Sequence, residues 1–304
     1  MDGADPSTVG GVAMKILITG EKGFIGSNLV KAFKTGVLGQ HHAIADGNEI
    51  IFAPCNLIDL DKWTDKIKLD RIYHLASTPS PAKYKKDPLY VMLTNVRGTY
   101  NILELAKRTK ARVLFTSTVD VDKQYPSSDL RACYVDSKKC AEDLCNLYRV
   151  SGVDVRIARL YSTYGPGMMP DDGRVIPEFI KAAMKGQPLK VYGDGSQLDS
   201  FCYIADMMNA LYRLMEHDES IPVMELGNPL LTGACGLIRI DDLAKMVKNI
   251  CRSQSQIEYV PYSGYNKFRV PDIALAKEYL GWMPIVGLST GLERTVQAMK
   301  EVIL

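Results

Sequence analysis

The 304 residues carry little that would place them in a membrane, on a nucleic acid or in an oxidising compartment. No apolar run approaches the roughly 20 residues that a helix needs to span a bilayer. The formal net charge is only +2, so there is no electrostatic case for nucleic acid or for an anionic lipid surface. Seven cysteines (Cys55, Cys133, Cys140, Cys145, Cys202, Cys235 and Cys251) are scattered, odd in number and contain no CxxC pair. That pattern supplies neither a zinc framework nor a disulfide scaffold, so no metal is expected. The cysteines read as buried thiols of a reducing cytosol, and a cytoplasmic location is expected. Cys133 adjoins Tyr134 but has no base beside it in sequence. Internal repeats and low-complexity tracts are absent. The first 13 residues, MDGADPSTVGGVA, lack the basic start and apolar stretch of a signal peptide and read as a flexible leader.

What is present is ordinary for a globular chain: 46% hydrophobic and 24% charged residues, with length enough for a large core. Short apolar runs alternate with longer helical patterns, the rhythm of βαβ units on a parallel sheet. Strands are predicted at Lys15–Thr19, Arg71–Leu75, Arg112–Thr116 and Val153–Leu160, with weaker candidates at Ala43–Asp46 and Ile50–Pro54. Helices are predicted from Phe24 to Phe33, Leu89 to Lys107 and Cys133 to Val150. After Gly165 the stretch GPGMMPDDGRVIP reads as a long functional loop. Beyond it come a helix at Glu178–Lys185, a strand at Leu189–Tyr192, and helices at Asp241–Cys251 and Leu288–Glu301. The expected fold class is α/β: a Rossmann-like doubly wound parallel sheet with a smaller C-terminal substrate-binding lobe. Residues 14–165 would form the dinucleotide-binding part, with a return strand near 223–226, and residues 166–304 mainly the substrate lobe.

Gly20-Glu-Lys-Gly23-Phe24-Ile25-Gly26 directly follows a strand and opens a helix. Glycines there permit a tight turn and let backbone N–H groups approach a pyrophosphate at the helix N-terminus. The spacing is G-x-x-G-x-x-G, so the flanking strand and helix, more than the glycines alone, carry the reading. An acidic residue after the second strand should hold the ribose 2′-hydroxyl. Asp46 is the candidate, although within Asp-Gly-Asn it also reads as a solvated turn residue. No arginine stands beside it for a 2′-phosphate, which favours NAD over NADP.

Tyr134-Val-Asp-Ser-Lys138 places a tyrosine and a lysine on one helix face. Tyrosine ionises near pH 10, too high for a base at neutral pH, and a nearby lysine cation together with a positive nicotinamide would lower that value. Tyr and Lys at this spacing are common by chance. The strand-end hydroxyls of Thr116-Ser117-Thr118 and the upstream glycine loop turn the pair into an ordered set for removing a proton and a hydride from a substrate hydroxyl.

With these residues the chain resembles the extended short-chain dehydrogenases, the NAD-dependent epimerase/dehydratase family, and within them the UDP-glucuronate decarboxylases (UDP-xylose synthases). The resemblance runs from about Met14 to Lys300. It is carried by ITGEKGFIGSNL (18–29), IYHLASTPSP (72–81), NVRGTYNILELAK (95–107), RACYVDSKKCAE (131–142), YGPGMMPDDGRVIPEFI (164–180), VYGDGSQ (191–197) and RVPDIALAKEYLGW (269–282). It implies NAD as cofactor and oxidation of a sugar at C4, with Tyr134 as base and Thr118 holding the hydroxyl. A hexuronic acid would then lose CO2 as a β-keto acid before hydride returns to C4. The resemblance also implies that Asp120 stands for a catalytic glutamate, Arg269 for an arginine at the carboxylate end and Tyr84 for a substrate-contacting tyrosine. Asn56, Leu57, Leu75, Ala76, Ser77, Asn95 and Thr116 would line the cofactor. Arg174 and Tyr192 fall on the substrate side. A homodimer through the helices at 89–107 and 133–150 is implied as well, with a small-molecule substrate as the other partner. The same first step serves a 4-epimerase, a 4,6-dehydratase or a reductase, and the scaffold also suits a non-catalytic NAD-binding regulator.

Departures cluster on the substrate side. The family's Thr-Ser-Glu-Val-Tyr-Gly is here Thr118-Val119-Asp120-Val121-Asp122-Lys123. Its Gln-Thr-Arg-x-Phe is Gln197-Leu198-Asp199-Ser200-Phe201. The arginine of that pattern faces the nucleotide's phosphates, so aspartate replaces attraction with repulsion. Ser162 stands for an asparagine and Gly167 for an arginine. An altered substrate and compensation by another basic residue such as Arg174 are both compatible with these changes.

Overall fold

The computed structural model describes residues 13–38, 42–43, 47–62, 67–126, 128–231, 235–262 and 268–303. The chain opens with β1 (Lys15–Thr19), α1 (Phe24–Thr35), a short antiparallel hairpin of β2 (Val37–Leu38) and β3 (His42–Ala43), and β4 (Glu49–Phe52). Then follow β5 (Arg71–His74), α2 (Pro81–Lys86), α3 (Pro88–Thr109), β6 (Arg112–Thr118), α4 (Arg131–Val150) and β7 (Val155–Leu160). The remaining elements are β8 (Ser162–Tyr164), α5 (Val175–Met184), β9 (Leu189–Tyr192), β10 (Leu198–Tyr203), α6 (Ile204–Glu216), β11 (Met224–Leu226), β12 (Leu237–Arg239), α7 (Ile240–Ile250), β13 (Ile257–Val260), α8 (Ala274–Leu280) and α9 (Leu288–Ile303).

Six strands form one parallel sheet in the order β11-β7-β6-β5-β1-β4. Both faces are covered, which explains the uninterrupted apolar runs of its central strands. Alternation along β1 sends Ile16 and Ile18 into a core with α1, α6 and the C-terminal elements, and Leu17 into a second core with α3 and α4. The chain leaves β1 for β4 on one side and later places β5 on the other. Strand order therefore reverses at β1, and the crevice beyond the C-terminal ends of β1 and β5 is where such a sheet takes a ligand.

The return strand expected near 223–226 is β11, paired with β7. The second strand of the sheet is Glu49–Phe52, whereas Ala43 closes the small hairpin instead. Helix α5 begins at Val175, three residues earlier than the sequence predicts, because Pro177 falls in the first turn, where its missing N–H costs nothing. Helix α6 escaped the sequence reading although Ile204, Met207, Met208, Leu211, Leu214 and Met215 are all buried at helical spacing. Smaller sheets, β12-β10-β8 and β13-β9, complete the C-terminal region. Asp206 fastens the end of the chain to α6: its carboxylate accepts from Ile285 N (3.2 Å) and Val286 N (2.9 Å), and its carbonyl from Trp282 Nε1 (3.0 Å). Among the described residues no helix is long and apolar enough to cross a membrane, and no cluster of metal-ligating side chains occurs.

Candidate active site

A cavity of about 1210 Å³ opens along the C-terminal ends of β1, β5, β6 and β7. It runs from the glycine loop to the far end formed by β8 and β10. Gly20, Gly23, Phe24, Ile25, Gly26, Leu75, Ser77, Thr116, Thr118, Asp120, Tyr134, Lys138, Arg174 and Arg269 all line it, so residues predicted from separate segments meet in one place.

The glycine loop is tight for a geometric reason. Gly20 sits at φ +74°, and a Cβ there would lie 2.8 Å from Ala76 N. A Cβ on Gly26 would fall 2.1 Å from Gly20 O, and Gly23 N donates to the same carbonyl at 2.9 Å. The first turn of α1 therefore lies directly on the strand end, and Phe24, Ile25 and Gly26 of that turn line the cavity. Behind the loop, fully buried His74 shares hydrogen bonds with Thr19 (2.9 Å) and Thr99 (3.0 Å). Burial lowers its pKa to about 3, so it stays neutral and braces the strand ends.

Tyr134 and Lys138 project from α4 toward the end of β6. Thr118 shares a hydrogen bond with Tyr134, and its hydroxyl also accepts from Asp120 N at 3.2 Å. Burial, with Asp120 as a second cause, pushes the Tyr134 phenol well above its usual pKa, while Thr118 and Arg174 pull it down. Lys138 is buried and donates to Thr116 O at 2.8 Å, its ammonium 4.6 Å from the centre of the Phe115 ring. Burial brings its pKa down to about 7. In this state Lys138 is itself depleted of charge, so the expected lowering of Tyr134 by the lysine is not in place. The desolvation that opposes a phenolate also opposes the ammonium.

Asn95, expected along the cofactor, is buried one layer behind the cavity. It accepts from Ser77 Oγ and donates to Ser137 Oγ, both at 2.9 Å, and Ser137 donates to Tyr134 O at 2.9 Å. The chain of bonds ties the end of β5 through α3 to the turn of α4 that carries the tyrosine. Ala76 supports the wall through its N–H, which donates to Thr19 Oγ1 at 3.2 Å. Tyr84 on α2 is buried with its ring stacked on Tyr134 at 6.4 Å. Asn56 and Leu57 lie outside the cavity lining: Asn56 donates to Tyr90 Oη at 3.2 Å, and Leu57 O accepts from Asn101 Nδ2 at 2.7 Å. Tyr192 is exposed on β9 against Tyr262 and is likewise outside the lining. Asp46 lies outside the described residues. The nearby Asn48 accepts from Met14 N at 3.1 Å, at the end of β1 opposite the glycine loop.

Several site residues were missed in the sequence. Arg131, one turn before Tyr134, lines the cavity, hydrogen-bonds Tyr84 and Tyr125, and lies 5.2 Å from the Tyr125 ring centre. Its spacing from Tyr134 was the available signal. Glu225 had none. From β11 it engages the half-exposed Arg269, which also stands 3.8 Å from Asp122, and it accepts from Tyr161 Oη at 3.1 Å. Asp120 is paired with Lys123 at 2.6 Å, and Arg174 with Asp172.

The arrangement can take a proton at Tyr134, hold a hydroxyl at Thr118 and seat a dinucleotide at the glycine loop. Comparison with known proteins points the same way. UDP-glucuronic acid decarboxylase 6 of Arabidopsis thaliana is 38% identical, with 92% of this chain and 87% of that protein covered. UDP-glucuronic acid decarboxylase 1 of Danio rerio is 36% identical, covering 93% of this chain and 72% of that protein. The UDP-glucose 4-epimerase of Thermotoga maritima superposes with a TM-score of 0.81 at 22% identity, over 96% of this chain and all of that one, a likeness of fold. The UDP-glucuronic acid 4-epimerase of Bacillus cereus, solved with UDP-glucuronic acid and NAD, superposes with a TM-score of 0.75 at 26% identity over 95% of this chain. The model of the NAD dependent epimerase/dehydratase family matches residues 16–227. Sequence, sheet and site together make the chain a member of the NAD dependent epimerase/dehydratase family.

Proposed function

We propose that this protein is an NAD-dependent, sugar-modifying enzyme that oxidises a hexuronic acid at C4, lets it lose CO2 and reduces the resulting ketone again. The single observation that carries the reading is the meeting of Thr118, Tyr134 and the glycine loop in one cavity, with Arg269 lining its other side. Gly20, Gly23, Gly26, Leu75, Ser77, Thr116, Tyr134 and Lys138, which line the cavity, would hold NAD+, which when bound would supply the hydride acceptor and donor and a positive ring that favours the phenolate.

Thr118 fixes the substrate hydroxyl, and Tyr134 takes its proton. Asp120 lies close enough to influence the tyrosine and is positioned to exchange a proton with water or substrate. A ketone at C4 makes the C5 carboxylate a β-keto acid, and Arg269 orients that carboxylate. As CO2 leaves, the electrons of its bond to C5 pass to the C4 oxygen, and C5 takes a proton that reaches it from water by way of Asp120. With hydride returned to C4, Tyr134 gives its proton back to the C4 oxygen. A 4-epimerase, a 4,6-dehydratase or a reductase would use the same oxidation, and one observation favours that second reading: Glu225 already occupies Arg269. Release of labelled CO2 from carboxyl-labelled hexuronates, free and nucleotide-linked, decides between them. Production of CO2 that depends on NAD and Tyr134 supports decarboxylation. Isomerised, dehydrated or reduced sugar without CO2 overturns it. No reaction with any sugar, alongside intact NAD binding, favours the non-catalytic regulator.

The same proposal includes a cytoplasmic homodimer with a small-molecule substrate. All seven cysteines are free, which suits a reducing compartment. Leu89, Leu93 and Tyr100 on α3 and Leu147 on α4 leave large apolar surface exposed on two helices that pack together, the kind of face that a second copy covers.

A further inference from the structure

The two ends of the cavity differ in charge. At the glycine-loop end the N-terminus of α1 and Lys22 face the space, a setting for an anion. The far end is built by β8, β10 and the turn at Val119–Asp122, and it holds Asp199. Oxygen atoms of Asp199 accept from its neighbour's backbone, Ser200 N at 2.7 Å, and from Ser162 Oγ at 3.4 Å. Among the described residues no cation lies within ion-pair distance of this carboxylate.

Three of the basic residues that line the cavity are engaged by other acids. Lys123 is bound to Asp120, and Arg269 to Glu225 with Asp122 close by. Arg174 is bound to Asp172 and lies over the Phe24 ring at 5.8 Å, on the glycine-loop side, so it does not compensate for Asp199. Burial raises the Asp199 carboxyl to about 6. Asp120 adds to the rise, while Ser200 N, Lys123 and Ser162 oppose it, so the group is ionised at neutral pH. An ionised carboxylate in a partly dry cavity repels a diphosphate strongly and accepts well from hydroxyl or ammonium donors.

We propose that Asp199 determines specificity at this end by accepting a hydrogen bond from a hydroxyl or ammonium group of a sugar that is not carried on a nucleoside diphosphate. This rests on the reading of the cavity as a sugar-oxidation site and narrows its substrate class. It also assigns a use to the position where the family pattern has arginine and this chain has aspartate.

The test is calorimetric titration of the full-length, NAD-loaded protein with UDP, UDP-glucuronate and methyl glucuronide. The unaltered protein is expected to bind methyl glucuronide but to bind UDP at least tenfold more weakly than Asp199→Arg does. Asp199→Asn, of the same size, is expected to gain UDP affinity severalfold and to lose methyl glucuronide affinity. Micromolar UDP binding by the unaltered protein overturns the proposal. So does unchanged UDP affinity in both variants when they bind NAD normally. Because these readouts need no turnover, failure of the oxidation–decarboxylation reading would show separately, as absence of nicotinamide reduction and CO2.

Discussion

At the residue scale the site is governed by desolvation. Tyr134 and Lys138 lie in a region that penalises both phenolate and ammonium, so burial shifts each toward its neutral form. Replacing Tyr134 with Phe removes the proton acceptor but little of the packing on Tyr84. Turnover measured by CO2 release or nicotinamide absorbance should fall by roughly 10²–10⁴-fold, with NAD affinity changed by no more than a few-fold. Lys138 has a pKa of about 7 in the fold, against about 10.4 for an exposed lysine. Between those values the unfolded chain binds the extra proton, so the stability of the cofactor-free protein should rise as pH increases from about 7 toward 10. Lys138→Met should flatten that rise in denaturant titrations and add on the order of 1 kcal/mol at neutral pH, while abolishing activity. Glycines and the Tyr–Lys pair were legible in sequence because each is local. Glu225 on Arg269 was not, since their approach depends on β11 returning to the sheet.

At the element scale the cofactor end is a contact between backbone and backbone. The first turn of α1 lies against Gly20 and leaves no room for a side chain at Gly26. Gly26→Ala must push the helix off the strand. It should cost about 1–3 kcal/mol by thermal unfolding and weaken NAD binding at least tenfold, because the same displacement moves the N–H groups proposed to hold a pyrophosphate. Helix α4 is set in place differently, by the Ser77–Asn95–Ser137 hydrogen bonds that end at Tyr134 O. Helix type was readable wherever the apolar period was long, as in α3 and α4. The strands β8, β10 and β12 were not readable: β8 and β12 have only three residues each, too few to show a period, and the pairing partners of all three lie far along the chain.

At the scale of the whole molecule, the sheet brings the ends of β1, β5, β6 and β7 to one rim, and the C-terminal elements close its far end. The exposed apolar residues of α3 and α4 lie outside that rim, so covering them need not block the cavity. Leu93→Glu, which places a charge at the centre of the proposed dimer face, should shift the protein to monomer in sedimentation or light scattering without loss of folded structure. A protein that is monomeric before the substitution would contradict the dimer.

The amino-acid sequence by itself determined the α/β alternation, the glycine loop, the strand-end hydroxyls and the Tyr134–Lys138 pair, because each rests on local spacing or on the period of one element. Tertiary structure decided the rest. It bonded Asn95 to Ser137 behind the cavity, set Tyr192 outside the lining and paired Arg269 with Glu225, through contacts between residues 40 or more positions apart. It also left Asp199 as the half-buried acid of the far end. Which charges are matched depends on what the fold brings within a few ångströms, and no one-dimensional pattern carries that distance.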